Sequence, residues 1–179
     1  MSTTMKTTSA PSAPSTTAAP TAADTRPTLR PRIKSPAGLL PDVMAPIQAL
    51  LAATRNGSVS PAILELSHIR ASQINGCGFC VDIGSRHAKE HGETDVRLFG
   101  VAAWRESPHF TNAERAALAL TEAITRIADH PDSVSDEIWN EAAKYFDERG
   151  LATLVLSIAV SNLFNHCNVP TRQLAGSWK

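Results

Sequence analysis

Aromatic residues are scarce in this chain, with one Tyr, three Trp and five Phe among 179 residues. Cysteine is scarcer relative to what a stapled fold needs. Its count of three is odd, which argues against a secreted disulfide framework and for reduced thiols in a cytoplasmic setting. Net charge is missing too: 17 basic residues balance 17 acidic ones. No dense basic run breaks that balance, so nothing advertises nucleic acid as a partner. No apolar run reaches the roughly 18–20 residues that span a bilayer, and the N-terminus lacks the apolar segment of a secretory signal. Strand-type alternation, internal repeats and glycine-rich phosphate loops are absent as well. What remains is the expectation of one helical domain with no membrane or nucleotide partner.

The first 35 residues differ from the rest. They hold thirteen Ser or Thr in their first thirty positions, Pro11, Pro14, Pro20, Pro27 and Pro31, and Asp24 as their single acid. Such a segment buries too little apolar surface to offset its ordering entropy, so residues 1–35 are expected to form a disordered tail. Lys6, Arg26, Arg30 and Arg32 also fit an organellar transit peptide, but no amphipathic Arg-bearing helix accompanies them. Residues 36–179 are then the domain, of ordinary size for a single core.

Within it the punctuation is helical. Pro41 opens a segment that stops at Asn56-Gly57, and Ser60-Pro61 caps the next, which Asn75-Gly76 breaks. A helix follows from about Cys77 to Glu90 and stops near Gly92, and Thr94 caps a short segment through Trp104. Thr111 and Glu114 have capping-box spacing and should open a helix of about eighteen residues. Ser135 caps a further helix that Gly150 ends. Residues 151–164 are apolar at ten of fourteen positions, too many for one exposed face. They belong at the domain centre or between subunits. The expected fold is all-α, with six to seven helices in an oligomer.

Chemistry concentrates between Glu65 and His91. Cys77 and Cys80 stand two residues apart at a helix start, where unpaired N–H groups and the dipole favour thiolate. Such a pair can close an intramolecular disulfide and cycle electrons. A peroxidase-type cycle needs an attacking thiolate, a proton donor for the leaving oxygen, and a second thiol. Cys77, Cys80 and Glu65 supply most of that if the two helices run antiparallel. The alternatives are half of a zinc site with His87 and His91, or inert core cysteines. Glu65 is otherwise exposed or paired with Arg70. His68 is either its partner or a surface residue. Cys167, beside His166 on the apolar C-terminal segment, reads as packed and unreactive.

These residues resemble the AhpD-like alkylhydroperoxidases of the carboxymuconolactone decarboxylase superfamily. The likeness covers nearly all of residues 36–175, including RASQINGCGFCVD, DEIWNEAAKYFDERGL and SNLFNHCNVPTR. The family pattern is Glu, eleven residues, Cys, two residues, Cys, three residues, His, and Glu65, Cys77 and Cys80 fit it. The resemblance implies that Cys80 attacks hydrogen peroxide or a small organic hydroperoxide, Cys77 resolves, and Glu65 relays protons. It implies no metal, haem or flavin. The reductant would be a dithiol, such as a lipoyl-bearing protein, and the assembly a trimer or a multiple of one. One position departs: Gly84 stands where the family has histidine. His87 is the nearest substitute, about 10 Å along the axis from Cys80, acting through water or not at all. A histidine restored at position 84 is therefore expected to raise Cys80 reactivity. Two further readings stay open, a catalytically impaired binding or assembly member and a carboxymuconolactone-decarboxylase-type enzyme.

Overall fold

The computed structural model describes residues 28–55 and 59–177, and among these the chain is all-α. The helices are α1 (Pro36–Leu39), α2 (Pro41–Thr54), α3 (Pro61–Ile74) and α4 (Gly78–Glu90), then α5 (Asp95–Gly100), extended by a 3-10 turn over Val101–Ala103. They continue as α6 (Asn112–Thr125), α7 (Asp136–Ala143) and α8 (Glu148–Thr171). Most of residues 1–35, and the Asn56-Gly57 stop, lie outside the described residues. Residues 28–35 form no helix, but Arg32 N donates to the Thr171 carbonyl at 2.9 Å. Gln173 Nε2 donates to the Ile33 carbonyl at 3.0 Å.

Local chemistry sets the helix ends. Ser60 Oγ accepts from Ile63 N at 3.4 Å, with Pro61 in the first turn of α3. Gly76 ends the α3–α4 hinge at φ +67°, a left-handed conformation that glycine adopts without strain. Thr111 and Glu114 form the expected capping box, although α6 runs only 14 residues. The single helix expected from Ser135 to Gly150 is two. Phe146 turns inward after α7, and Asp147 caps α8 by accepting from Gly150 N at 2.7 Å. Gly150 thus begins a helix instead of ending one.

The central element is α3, which packs against α4, α6 and α8. Leu64 on one side joins Leu120, Phe146, Leu154 and Ile158 in one core cluster. Leu66 and Ile69 on the other join Val101, Trp104, Phe110 and Leu118. The C-terminal helix α8 is long and apolar enough to cross a membrane by length and composition. The structure folds it against α2, α3 and α6, burying one face and leaving Leu156 and Leu163 outward.

Polar anchoring supports this core at Glu122 of α6. Arg70 Nε and Trp104 Nε1 donate to its Oε1 at 2.7 and 2.9 Å, and Arg105 Nη1 donates to Oε2 at 2.7 Å. Burial alone would raise this carboxyl, but hydrogen bonds from Trp104, Arg105 and Arg70 hold it below the ordinary carboxylate value. A folded value below the unfolded one adds stability above the unfolded value, about 4.3. That contribution is lost as pH falls through the folded value. Replacing Glu122 with Ala leaves Arg70 without its carboxylate and should cost on the order of 3 kcal/mol in urea denaturation at pH 7. The gap between parent and variant should narrow as pH drops below 4.3, about the unfolded carboxyl value.

Candidate active site

The hinge between α3 and α4 carries the two cysteines. Cys77 is the N-cap of α4, its Sγ accepting from Cys80 N at 3.3 Å, and the two sulfurs form a disulfide with Cα atoms 5.3 Å apart. Cys167 is a free thiol, half-buried on α8. The two bonded sulfurs serve different sides. Cys80 lines a partly open cavity of about 190 Å³ between α2, α3, α4 and α8. Cys77 instead underlies shallow outer hollows beside Gly76, Gly78 and Gln73.

The cavity wall is mostly apolar surface, to which Leu51, Leu64, Phe79, Ile83, Val160 and Phe164 contribute. Glu65 faces it too, only 5 % exposed and paired with Arg55 Nη2 at 2.7 Å. Arg70, the partner suggested by sequence, bonds Glu122 instead. Asn168 of α8 donates Nδ2 to Cys80 Sγ at 3.4 Å. A buried ladder continues below it: Asn165 Nδ2 donates to Ser72 Oγ at 3.1 Å, and Asn75 Nδ2 donates to Asn165 Oδ1 at 2.9 Å. Both helices of the hinge are thereby tied to α8.

His68 is neither on the surface nor bonded to Glu65. Its Nδ1 lies 3.0 Å from Ser161 Oγ, and the half-buried ring lines the cavity. Desolvation lowers its pKa, while the Glu65 carboxylate and a hydrogen bond to the Cys80 backbone work against that. Arg55 and His87 add to the lowering. Opposite the ring stands Gly84. A Cβ at that position would sit 2.7 Å from His68 Cδ2 and 3.2 Å from Ile69 Cγ1. A histidine added at position 84 would have to displace the neighbouring ring, which already fills that space.

Of the residues singled out by sequence, Glu65, Cys80 and His87 meet at one cavity, and Cys77 lies behind it. His91 turns elsewhere, its Nδ1 2.7 Å from the His87 carbonyl. Among the described residues no group of three or more His, Cys, Asp or Glu is arranged to hold a metal ion. Sequence reasoning missed Arg55, Ser161 and Asn168. The signal for the last was present in Asn162, Asn165 and Asn168, spaced by three on an otherwise apolar helix.

A model of the carboxymuconolactone decarboxylase family matches residues 41–123. The uncharacterized protein YdfG of Bacillus subtilis (strain 168) is 36 % identical over 124 residues, 69 % of this chain and 83 % of its own length. YnjA of Escherichia coli (strain K12), also uncharacterized, is 34 % identical over 109 residues, 61 % of this chain and 58 % of its own. In structure, the chain is similar to ATU0492 from Agrobacterium tumefaciens, a protein of unknown function named as a candidate antioxidant defence protein AhpD. The TM-score is 0.76 at 27 % identity, over 82 % of this chain and 98 % of that one. The debrominase Bmp8 shares the fold, with a TM-score of 0.69 at 20 % identity over 78 % of this chain and 74 % of its own.

Glycine usually weakens a helix interior, so Gly84→Ala would stabilise an ordinary helix by about 0.5–1 kcal/mol. Here the added methyl meets a ring that Ser161 holds in place. Gly84→Ala should instead destabilise the protein by about 1–3 kcal/mol in chemical denaturation.

Proposed function

The chain belongs to the carboxymuconolactone decarboxylase family, and from that premise we propose that it is a dithiol peroxidase acting on hydrogen peroxide or small organic hydroperoxides. The observation that carries this reading is the two-sided disulfide. One sulfur, Cys80, faces a largely apolar pocket between helices, while Cys77 faces separate hollows on the other side. The naming of ATU0492, at 27 % identity, supports the same direction. The decarboxylase alternative makes no use of paired cysteines, so a sulfur turned into the cavity favours thiol chemistry.

In the reduced protein, the Cys80 thiolate attacks the terminal oxygen of the hydroperoxide. An S–O bond forms, the O–O bond breaks, and the alkoxide leaves as alcohol after taking a proton from the site. Cys77 then attacks the sulfenic acid, closing the disulfide and releasing water. A dithiol, from a lipoyl-bearing protein or a similar donor, exchanges through a mixed disulfide and returns both thiols. The sum converts hydroperoxide and dithiol into alcohol, water and a disulfide. The helix start at Cys77 favours the thiolate, and Glu65 and His87 are the cavity's candidates for moving protons.

The assay is peroxide consumption driven by dihydrolipoamide. The parent should turn over, Cys80→Ser should fall to background, and Cys77→Ser should leave a sulfenic acid on Cys80 that dimedone traps. A reduced parent that consumes no hydroperoxide, or Cys80→Ser with unchanged turnover, sinks the reading.

The working assembly is proposed to be a homo-oligomer. Leu156 and Leu163 of α8 are 49 % and 41 % exposed, and Phe99 is 81 % exposed. Apolar side chains left outward on a core helix fit a surface that a second copy covers. Light scattering at micromolar concentration should give a multiple of the 19.1 kDa chain, and a monomer refutes it.

A further inference from the structure

Gly84 leaves a notch on α4, and the ring of His68 from α3 occupies it. The contact is intimate: a Cβ at Gly84 would meet Cδ2 at 2.7 Å and Nε2 at 3.3 Å. The Cδ2–Nε2 edge of the imidazole thus faces α4 and the Cys80 backbone, while Nδ1 faces Ser161 of α8. The family resemblance implies a histidine at position 84, and an imidazole is present beside that place in space, supplied by the facing helix. We infer that His68 is the proton-holding group of the Cys80 cavity, standing in from α3 for the histidine that α4 lacks.

The hydrogen bonds suit a group that gains and loses a proton in place. Ser161 Oγ lies 3.0 Å from both the Ser157 carbonyl and His68 Nδ1. When Ser161 donates to Ser157, its oxygen accepts from Nδ1–H, and the other nitrogen is turned toward α4. The Nδ1–H of an imidazolium is then satisfied. When the ring is neutral, the hydroxyl turns and donates to Nδ1. One hydroxyl rotation therefore accommodates either state, and no side chain needs to move. The charged and titratable groups facing the ring are Glu65 on its own helix, Arg55 at the end of α2, and His87 on α4. The α8 residues that line the cavity, Ser157, Val160, Ser161, Phe164 and Asn168, carry no charge.

Desolvation keeps the ring neutral in the disulfide form, where no anion stands at Cys80. Reduction makes a thiol whose proton the neutral ring can take at Nδ1 by way of the Ser161 hydroxyl, which lines the same cavity as Cys80, and the resulting imidazolium faces the thiolate across it. That pairing lowers the thiol pKa, as neighbouring cations do. During turnover the same proton passes to the departing alkoxide, so the balance closes within the site. This last step rests on the peroxidase reading; the hold on the Cys80 proton does not.

The test separates the two. The reduced full-length protein is alkylated with iodoacetamide across pH 5 to 10, a range set by thiol and imidazole values of about 8.5 and 6.5. Mass spectrometry follows the Cys80 peptide apart from those of Cys77 and Cys167. His68→Gln, which keeps volume and hydrogen bonding, should raise the apparent pKa of Cys80 by about one unit and slow alkylation at pH 7 about ten-fold. His87→Gln should shift the profile less. The relocated variant His68→Ala/Gly84→His, in which the emptied ring space receives the new side chain, should recover most of the rate lost in His68→Ala. An unchanged profile in His68→Gln overturns the inference, as does a larger shift in His87→Gln. A folded relocated variant no faster than His68→Ala also overturns it, and should it not fold, the His68→Gln profile decides alone. A parent that is alkylated as expected yet consumes no hydroperoxide would sink the peroxidase reading and leave this one standing.

Discussion

At Gly84 the ring of His68 packs so closely against α4 that no side chain fits there while the ring is in place, and the site depends on that contact. The cause is the short reversal at Asn75-Gly76, where glycine takes φ +67° and the chain turns back on itself. Two antiparallel helices with the same rise per residue bring together positions equally distant from the turn. Counted from Gly76, Ser72 lies four residues before and Cys80 four after. His68 and Gly84 lie eight away on either side, and Glu65 and His87 eleven. The hinge folds the sequence about one residue and sorts its chemistry into facing pairs. A larger residue at position 84 would push these helices apart and disturb every pair.

That symmetry also explains what the sequence disclosed and what it hid. The hinge, the helix caps at Ser60 and Thr111, and the pairing of Cys77 with Cys80 follow from local signals, because caps and turns are decided within a few residues. The split between α7 and α8 was less legible, since Gly150 carries a stop signal that the Asp147 carboxylate converts into a start. His87 was judged by its distance along one helix, which ignores the helix lying opposite. His68 was left undecided because its meaning depends on a glycine sixteen positions away. Arg55 was invisible, as nothing at the end of α2 announces that its guanidinium reaches Glu65. Long-range side-chain pairing is the part that periodicity does not encode.

The C-terminal helix shows the same limit from another direction. Its apolar content was legible and its burial on one face followed. Its polar positions carry the specificity. Asn162, Asn165 and Asn168 lie along the face turned to the hinge, and their amides close on Asn75, Ser72 and Cys80. An unbonded buried amide would cost on the order of 1–3 kcal/mol, so these groups fix the register of α8 against the hinge. A purely apolar helix could slide by a turn at little cost. This one cannot, and Ser161 is held opposite His68 as a consequence.

The disulfide itself contributes little to holding the fold. It closes a loop of only a few residues, and chain-entropy gains grow with loop length, so its opening leaves both core clusters intact. The hinge keeps its shape through backbone and amide bonds that involve neither sulfur, such as Cys77 N to the Ser72 carbonyl at 2.9 Å. A bond that can break without unfolding its surroundings is suited to repeated oxidation and reduction. Its two sulfurs also divide the work by location. Cys80 lies on the side of the largely apolar cavity and Cys77 beneath the outer hollows. Under the peroxidase reading proposed above, the two half-reactions need not compete for one opening. The helix start that favours the thiolate thus also stands between the two approaches, and one short segment sets both reactivity and access.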